Sequence, residues 1–147
     1  MNKKVISLTI ICLLLAIVNG YIFNYINNKY FHLASNENGL DDYPKIGKII
    51  IIIIIAPIIE TVLCQVLPFS ILSALKVVNK LLLILIPSLI FASMHHYHWL
   101  YMLMTFFGGL ILNYYYYCVV QIHSEYAFAL TAILHATYNL YGFLFIV

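Results

Sequence analysis

Arginine is absent from the 147 residues, and lysine supplies all seven basic charges against five acids. A nucleic-acid binder needs a clustered basic face, so the sequence expects no nucleic-acid partner. Charged residues make up 8% of the chain, where an ordinary soluble domain carries about 25%. So few charges cannot coat a globule in water, and most of this surface must be solvated by lipid. Cysteine is also scarce. Cys12, Cys64 and Cys118 are odd in number, lie in apolar runs and form no CxxC pair, which argues against a disulfide framework or a thiolate metal site. A chain of this length fits a single domain.

What the sequence does contain is apolar length. Hydrophobic residues reach 65%, and a membrane helix needs about 20 of them in succession. Five stretches qualify: residues 5–26, 46–75, 81–98, 100–122 and 126–147. The expected fold is therefore an all-α, polytopic membrane helix bundle of about five transmembrane helices. It forms one membrane domain over 1–147, with an extra amino-terminal helix over 1–26, a polar loop over 27–48 and a core over 49–147. The first stretch shows no small-x-small cleavage pattern and stays apolar through Phe23, so it reads as an uncleaved anchor. The loop holds Lys29, Glu37, Asp41, Asp42, Lys45 and Lys48 with Gly39, Pro44 and Gly47, a solvated composition. Placing the amino terminus inside sets Lys3, Lys4, Lys76 and Lys80 against Lys29, Lys45 and Lys48, in line with the positive-inside rule. The homopolymeric runs at 49–55 and 114–117 read as lipid-facing or core filler and as an approach to an interface.

Ionisable side chains inside lipid are expensive and mark functional sites. Here they are few: Glu60 in the second stretch, His95 with His96 and His98 closing the third, and His135 with Asn139 in the fifth. A helix rises about 1.5 Å per residue, so Glu60 lies about 16 Å and His135 about 18 Å below the face bearing the polar loop. His95 lies about 9 Å below it, with Pro87 able to bend its helix. His135 and Asn139 share a helix face at a spacing of four, as do Phe91 and His95. A carboxylate with an imidazole can activate water, while a second imidazole and an amide can stabilise an oxyanion. His96 and His98 read as interfacial, His32 and His123 as solvated, Asn113 as a bundle hydrogen bond and Trp99 as an interfacial anchor.

The residues Glu60 to Gln65, Phe91 to His95 and His135 to Asn139 resemble the CPBP, or ABI, family of intramembrane proteases, which includes CAAX prenyl endopeptidases and bacteriocin-immunity proteins. The family pattern is EExxxR, then FxxxH, then HxxxN, each on a helix. The resemblance runs over residues 56–143 and leaves the first helix outside. It implies that Glu60 and His95 activate the attacking water and that His135 and Asn139 form the oxyanion hole, with Thr61, Gln65 and Phe91 in support. Thr61 replaces the second Glu of the first motif and Gln65 replaces its Arg, where neutral hydrogen bonds can stand in for an ion pair. No cofactor is implied. The expected partners are a peptide or membrane-protein substrate and the lipid bilayer, in a multi-pass protein of a bacterial cell membrane.

Three other readings remain open at the level of sequence. Thr61 and Gln65 also fit an inactive immunity or interaction protein of the same family. Glu60, His95 and His135 have the chemistry of a three-ligand zinc site. A proton-coupled transporter also uses buried acids and histidines, though the chain has no internal repeat.

Overall fold

The computed structural model describes residues 3–33 and 43–145. Glu37, Asp41 and Asp42, the acids of the expected polar loop, lie outside the described residues. Among the described residues every regular element is helical: α1 (Lys3–Ile26), α2 (Lys45–Ile50), α3 (Ala56–Thr61), α4 (Leu67–Ala74), α5 (Lys80–Met94), α6 (Trp99–His123) and α7 (Ala127–Phe145).

Three continuous helical stretches are long and apolar enough to cross a membrane: Lys3–Phe31, Lys45–Ala74 and Trp99–Phe145. The sequence expects five segments, and the difference has two physical sources. The third expected segment ends early, because α5 stops at Met94 and its 15 residues rise only about 22 Å against a hydrocarbon core of about 30 Å. The fourth and fifth run together, because a single 3-10 turn, Ser124–Tyr126, is all that separates α6 from α7. The chain nevertheless reverses there, with His123 in an extended conformation at φ −151° and ψ 77°. Contacts to α1 fix the directions. Asn19 donates to the carbonyl of Met104 at 3.0 Å and Thr9 shares a 2.7 Å hydrogen bond with Tyr115, so α6 runs antiparallel to α1. The Tyr21 and Tyr141 hydroxyls are 2.9 Å apart, bringing the end of α7 to the end of α1.

The long helix from Lys45 to Ala74 is widened twice, by π-helical turns at Ile51–Ile55 and Val62–Val66. Each turn sits just ahead of a proline, Pro57 and Pro68. A proline in a helix lacks an N–H and its ring crowds the carbonyl four residues back, and one inserted residue relieves that crowding. The isoleucine run falls in the first of these turns and none of its residues 51–55 is buried, as suits a lipid-facing surface. Within the tyrosine run, Tyr114 is exposed while Tyr115 is fully buried and Tyr116 nearly so, Tyr115 against Thr9 of α1 and Tyr116 edge-to-face on Phe69 of α4.

The short connection between α4 and α5 is defined by its caps. Lys76 adopts a left-handed conformation, Val77 N–H donates to Leu72 O and Lys76 N–H to Ser73 O, the pairing that closes a helix end in a Schellman motif. Asn79 then opens α5 by accepting from the N–H of Leu81 at 2.8 Å. Gly109 lets α5 and α6 approach closely. A Cβ there would lie 3.3 Å from the Ser88 backbone and 3.2 Å from the Phe91 ring, so a larger residue would push the two helices apart. Asn113 ties the same pair, donating to Gly109 O at 3.0 Å and to the Ser88 hydroxyl at 3.3 Å. At the other end, helix one continues to Phe31, five residues into the expected loop, and Phe31 packs edge-to-face on Trp99 at 5.0 Å.

Candidate active site

Glu60 lies in α3 between the two widened turns, with Pro57 three residues before it. The structure brings it together with two of the expected histidines. His135 Nε2 is 3.5 Å and His95 Nε2 is 3.8 Å from the same carboxylate oxygen, Oε2. The three side chains differ in access: His135 is 3% exposed, His95 14% and Glu60 19%. The carboxylate therefore opens on the side of His95 and is closed on the side of His135.

Each imidazole is held by a different device. His95 is not a helical residue, since α5 ends at Met94 and His95 caps it with φ −106° and ψ 51°. Its Nδ1 lies 2.7 Å from the Phe91 carbonyl, so Nδ1–H donates there and Nε2 presents a lone pair toward Glu60. Phe91 is sandwiched between the histidines, its ring centroid 4.5 Å from that of His95 and 5.7 Å from that of His135. Because Phe91 is itself pressed on Gly109, the α5–α6 contact indirectly sets where both imidazoles stand. His135 is carried by α7 and is buried on all sides.

Asn139 has a partner that its spacing does not announce. Its Nδ2 donates 3.0 Å to the carbonyl of Ile52, in the first widened turn. In a π turn that carbonyl would accept from the residue five ahead, which is Pro57 and has no N–H. Asn139 thus satisfies a carbonyl that Pro57 leaves without a donor, and pins α7 to the helix bearing Glu60. Thr61 and Gln65 are fully buried, and neither finds a protein partner for its polar atoms.

Of the remaining polar residues, His98 caps α6 by accepting from the Tyr101 N–H at 3.0 Å, and Ser93 donates back to Ile90 O at 2.7 Å. His123 lies 3.6 Å from Glu125 at the α6–α7 turn. Tyr101 was not signalled by any spacing, yet its ring is 5.9 Å from that of His95 and 5.3 Å from that of Tyr97, walling the site on the loop side. Cys64, one turn beyond Glu60, touches Met94 at 3.3 Å and packs α3 and its continuation against the end of α5. Among the described residues no three His, Cys, Asp or Glu side chains are grouped to hold a metal ion.

The sequence profile of the type II CAAX prenyl endopeptidase Rce1-like family matches residues 43–141. The chain belongs to that family. All of Glu60, Thr61, Gln65, Phe91, His95, His135 and Asn139 fall inside the Rce1-like match, and α1 precedes it. No curated protein and no solved structure matches the chain. Membership in an endopeptidase family makes peptide-bond hydrolysis in a membrane the chemistry against which the site is to be weighed.

Proposed function

We propose that the protein is an intramembrane endopeptidase that hydrolyses a peptide bond of a membrane-associated or peptide substrate. The observation that carries this reading is the approach of two imidazole Nε2 atoms to one oxygen of Glu60, from the exposed side and the buried side respectively. A 3.8 Å gap is too long for a direct hydrogen bond and suits a water bonded to both groups. Glu60, assisted by His95, takes a proton from that water as its oxygen bonds the peptide carbonyl carbon. His135 Nε2–H donates to the oxyanion that forms, and Asn139 has one N–H left for the same purpose. The tetrahedral species collapses as the C–N bond breaks, and the proton held by Glu60 passes to the departing amine. General-base and oxyanion assistance of this kind each supply about 10²-fold or more.

In the bilayer the chain makes five passes, counting α5 and treating α6 and α7 as an antiparallel pair, with Glu60 below the membrane surface of a bacterial cell membrane. The test is cleavage of an internally quenched peptide by reconstituted protein. Wild type cleaves and Glu60→Gln does not, and activity that survives a chelator separates this chemistry from a zinc site. An immunity or interaction protein is the second reading, favoured by the departures at Thr61 and Gln65. It gains if Glu60→Gln retains the full biological phenotype.

A further inference from the structure

The helix face next to Glu60 carries polar groups that the hydrolysis reading does not use. Thr61, Gln65 and Thr131 are 0% exposed and His135 is 2% exposed. Five of their atoms have no protein hydrogen-bond partner: Thr61 Oγ1, Gln65 Oε1 and Nε2, Thr131 Oγ1 and His135 Nδ1. Buried side-chain polar atoms nearly always have a partner in protein or ordered water, and each one left bare costs about 1–3 kcal/mol. Each of the five therefore calls for a partner that the protein itself does not supply.

Their placement is as informative as their number. Thr61 and Gln65 are four apart along one helix, and Thr131 and His135 are four apart along α7, so each pair shares a face. Two contacts fix how the helices pass one another: Ile52 meets Asn139 and Glu60 meets His135. Residue numbers rise on one helix as they fall on the other. Continuing that register past the Glu60–His135 level brings Gln65 to the level of Thr131, one turn farther from the loop face, with Thr61 between the two levels. α3, which carries Thr61, packs on α7, which carries Thr131 and His135, and Gln65 follows Thr61 by one turn, so the register ranges the unpartnered atoms on the side of His135 away from the exposed mouth at His95.

We propose that Thr61, Gln65 and Thr131 hold water against Nδ1 of His135 and keep its imidazole in the tautomer that directs Nε2–H at Glu60. The chemistry of the donors fits. His135 Nε2 is the nearer of the two nitrogens to Oε2, at 3.5 Å, and an ionised carboxylate only accepts, so this Nε2 carries hydrogen and Nδ1 of the neutral ring must then accept. His95 Nε2, at 3.8 Å, meets Glu60 through the attacking water and needs no hydrogen of its own. Two hydroxyls and a carboxamide are donors as well as acceptors, and a buried water typically makes about three hydrogen bonds. One water donates to Nδ1 and to Gln65 Oε1 and accepts from the Thr131 hydroxyl, and a neighbouring water serves Gln65 Nε2 and the Thr61 hydroxyl. Thr61 and Gln65 act as positioning residues, doing with neutral groups and water what an ion pair does at higher desolvation cost.

The consequence for catalysis rests on His135 being the oxyanion donor, but the test does not. Full-length protein in detergent is made as Thr131→Val, Gln65→Met and the double variant, all close in shape to the originals. If the atoms hold water, each single variant lowers the melting temperature by about 4 °C, and the double variant loses less than the sum because both sites share the same water. If the atoms are bare, removing them raises it, since an unpaired buried group is gone. The second readout is the ¹⁵N spectrum of histidine-labelled protein, with His135 assigned from its loss in His135→Gln. The population of the Nε2–H tautomer falls several-fold in Gln65→Met and in Thr131→Val and recovers in Thr131→Ser. A melting temperature that rises in either single variant, or a His135 tautomer unchanged in both, overturns the proposal. If both readouts behave as stated while Glu60→Gln still cleaves peptide, the hydrolysis reading fails and the water site stands.

Discussion

Two helix interfaces in this bundle carry about the same number of polar side chains and treat them in opposite ways. Where α1 and α5 pack on α6, the polar groups are paired within the protein: Thr9 with Tyr115, Asn19 with the Met104 carbonyl, Asn113 with Ser88 and the Gly109 carbonyl. Where α3 faces α7, Thr61, Thr131 and one nitrogen of His135 have no protein partner, nor has Gln65 in the turn that follows α3, and the Glu60 carboxylate stands off both imidazoles, at 3.5 and 3.8 Å. In lipid the first arrangement is what holds helices together, each such bond contributing about 0.6–1.7 kcal/mol. The second, on the proposed function, is where water and a reacting group enter. The difference separates scaffold from site more clearly than residue type does, since both interfaces use threonine and amide side chains.

The comparison breaks most sharply at the histidines. His95→Ala should lower the cleavage rate by about 10²–10⁴-fold and His135→Ala by about 10²–10³-fold, read as initial rates on a quenched peptide in liposomes. Neither histidine is part of the α1–α6 contact, so thermal unfolding of the same variants should report little of that loss.

Next in size is Gly109→Leu, on the scaffold side. Its side chain would meet the Ser88 backbone and the Phe91 ring, where even a Cβ lies within 3.2–3.3 Å. Overpacking against backbone costs about 3 kcal/mol, visible as a large drop in melting temperature. Because Phe91 sits between both imidazoles, activity falls with it, the one position at which the scaffold and the site fail together.

Asn139→Leu tests the seam between the two regions. It leaves the Ile52 carbonyl without a donor and lowers stability by about 1–3 kcal/mol. Adding Pro57→Ala supplies the missing N–H, so the double variant should recover part of that loss. Additive losses in this double-mutant cycle would show that Asn139 does not answer to Pro57.

The smallest effect belongs to Tyr115→Phe, which removes the 2.7 Å bond to Thr9. Stability should fall by about 1 kcal/mol, measured by thermal unfolding, with the cleavage rate unchanged.

Much of the site was legible because depth in a membrane is a one-dimensional quantity. Counting residues along helices that run alternately placed Glu60 and His135 near one level, and they lie 3.5 Å apart. His95 was expected higher, yet it reaches the same oxygen, because α5 ends at Met94 and frees His95 to turn inward. The fate of Asn139 was not legible, since a spacing of four says which face a residue shares but not which partner its amide finds. Only the widened turn ahead of Pro57 reveals the carbonyl it satisfies. Tyr101 escaped for a related reason: it lies beyond a helix break, where periodicity carries no information. The burial of Tyr115 and Tyr116 was not legible, since a run of one residue type does not say which members meet Thr9 of α1 or Phe69 of α4. The number of crossings was blurred by α5, which is short, and by a reversal at His123 that needs only three residues of 3-10 helix.

The most direct measurement sets one residue from each interface side by side: initial cleavage rates of wild type, Glu60→Gln and Tyr115→Phe, each reconstituted in liposomes at equal protein content. The account predicts that Glu60→Gln falls by about 10³-fold or more while remaining as stable as wild type, and that Tyr115→Phe cleaves at the wild-type rate despite its lower melting temperature. Cleavage by Glu60→Gln at a rate near that of wild type would contradict it.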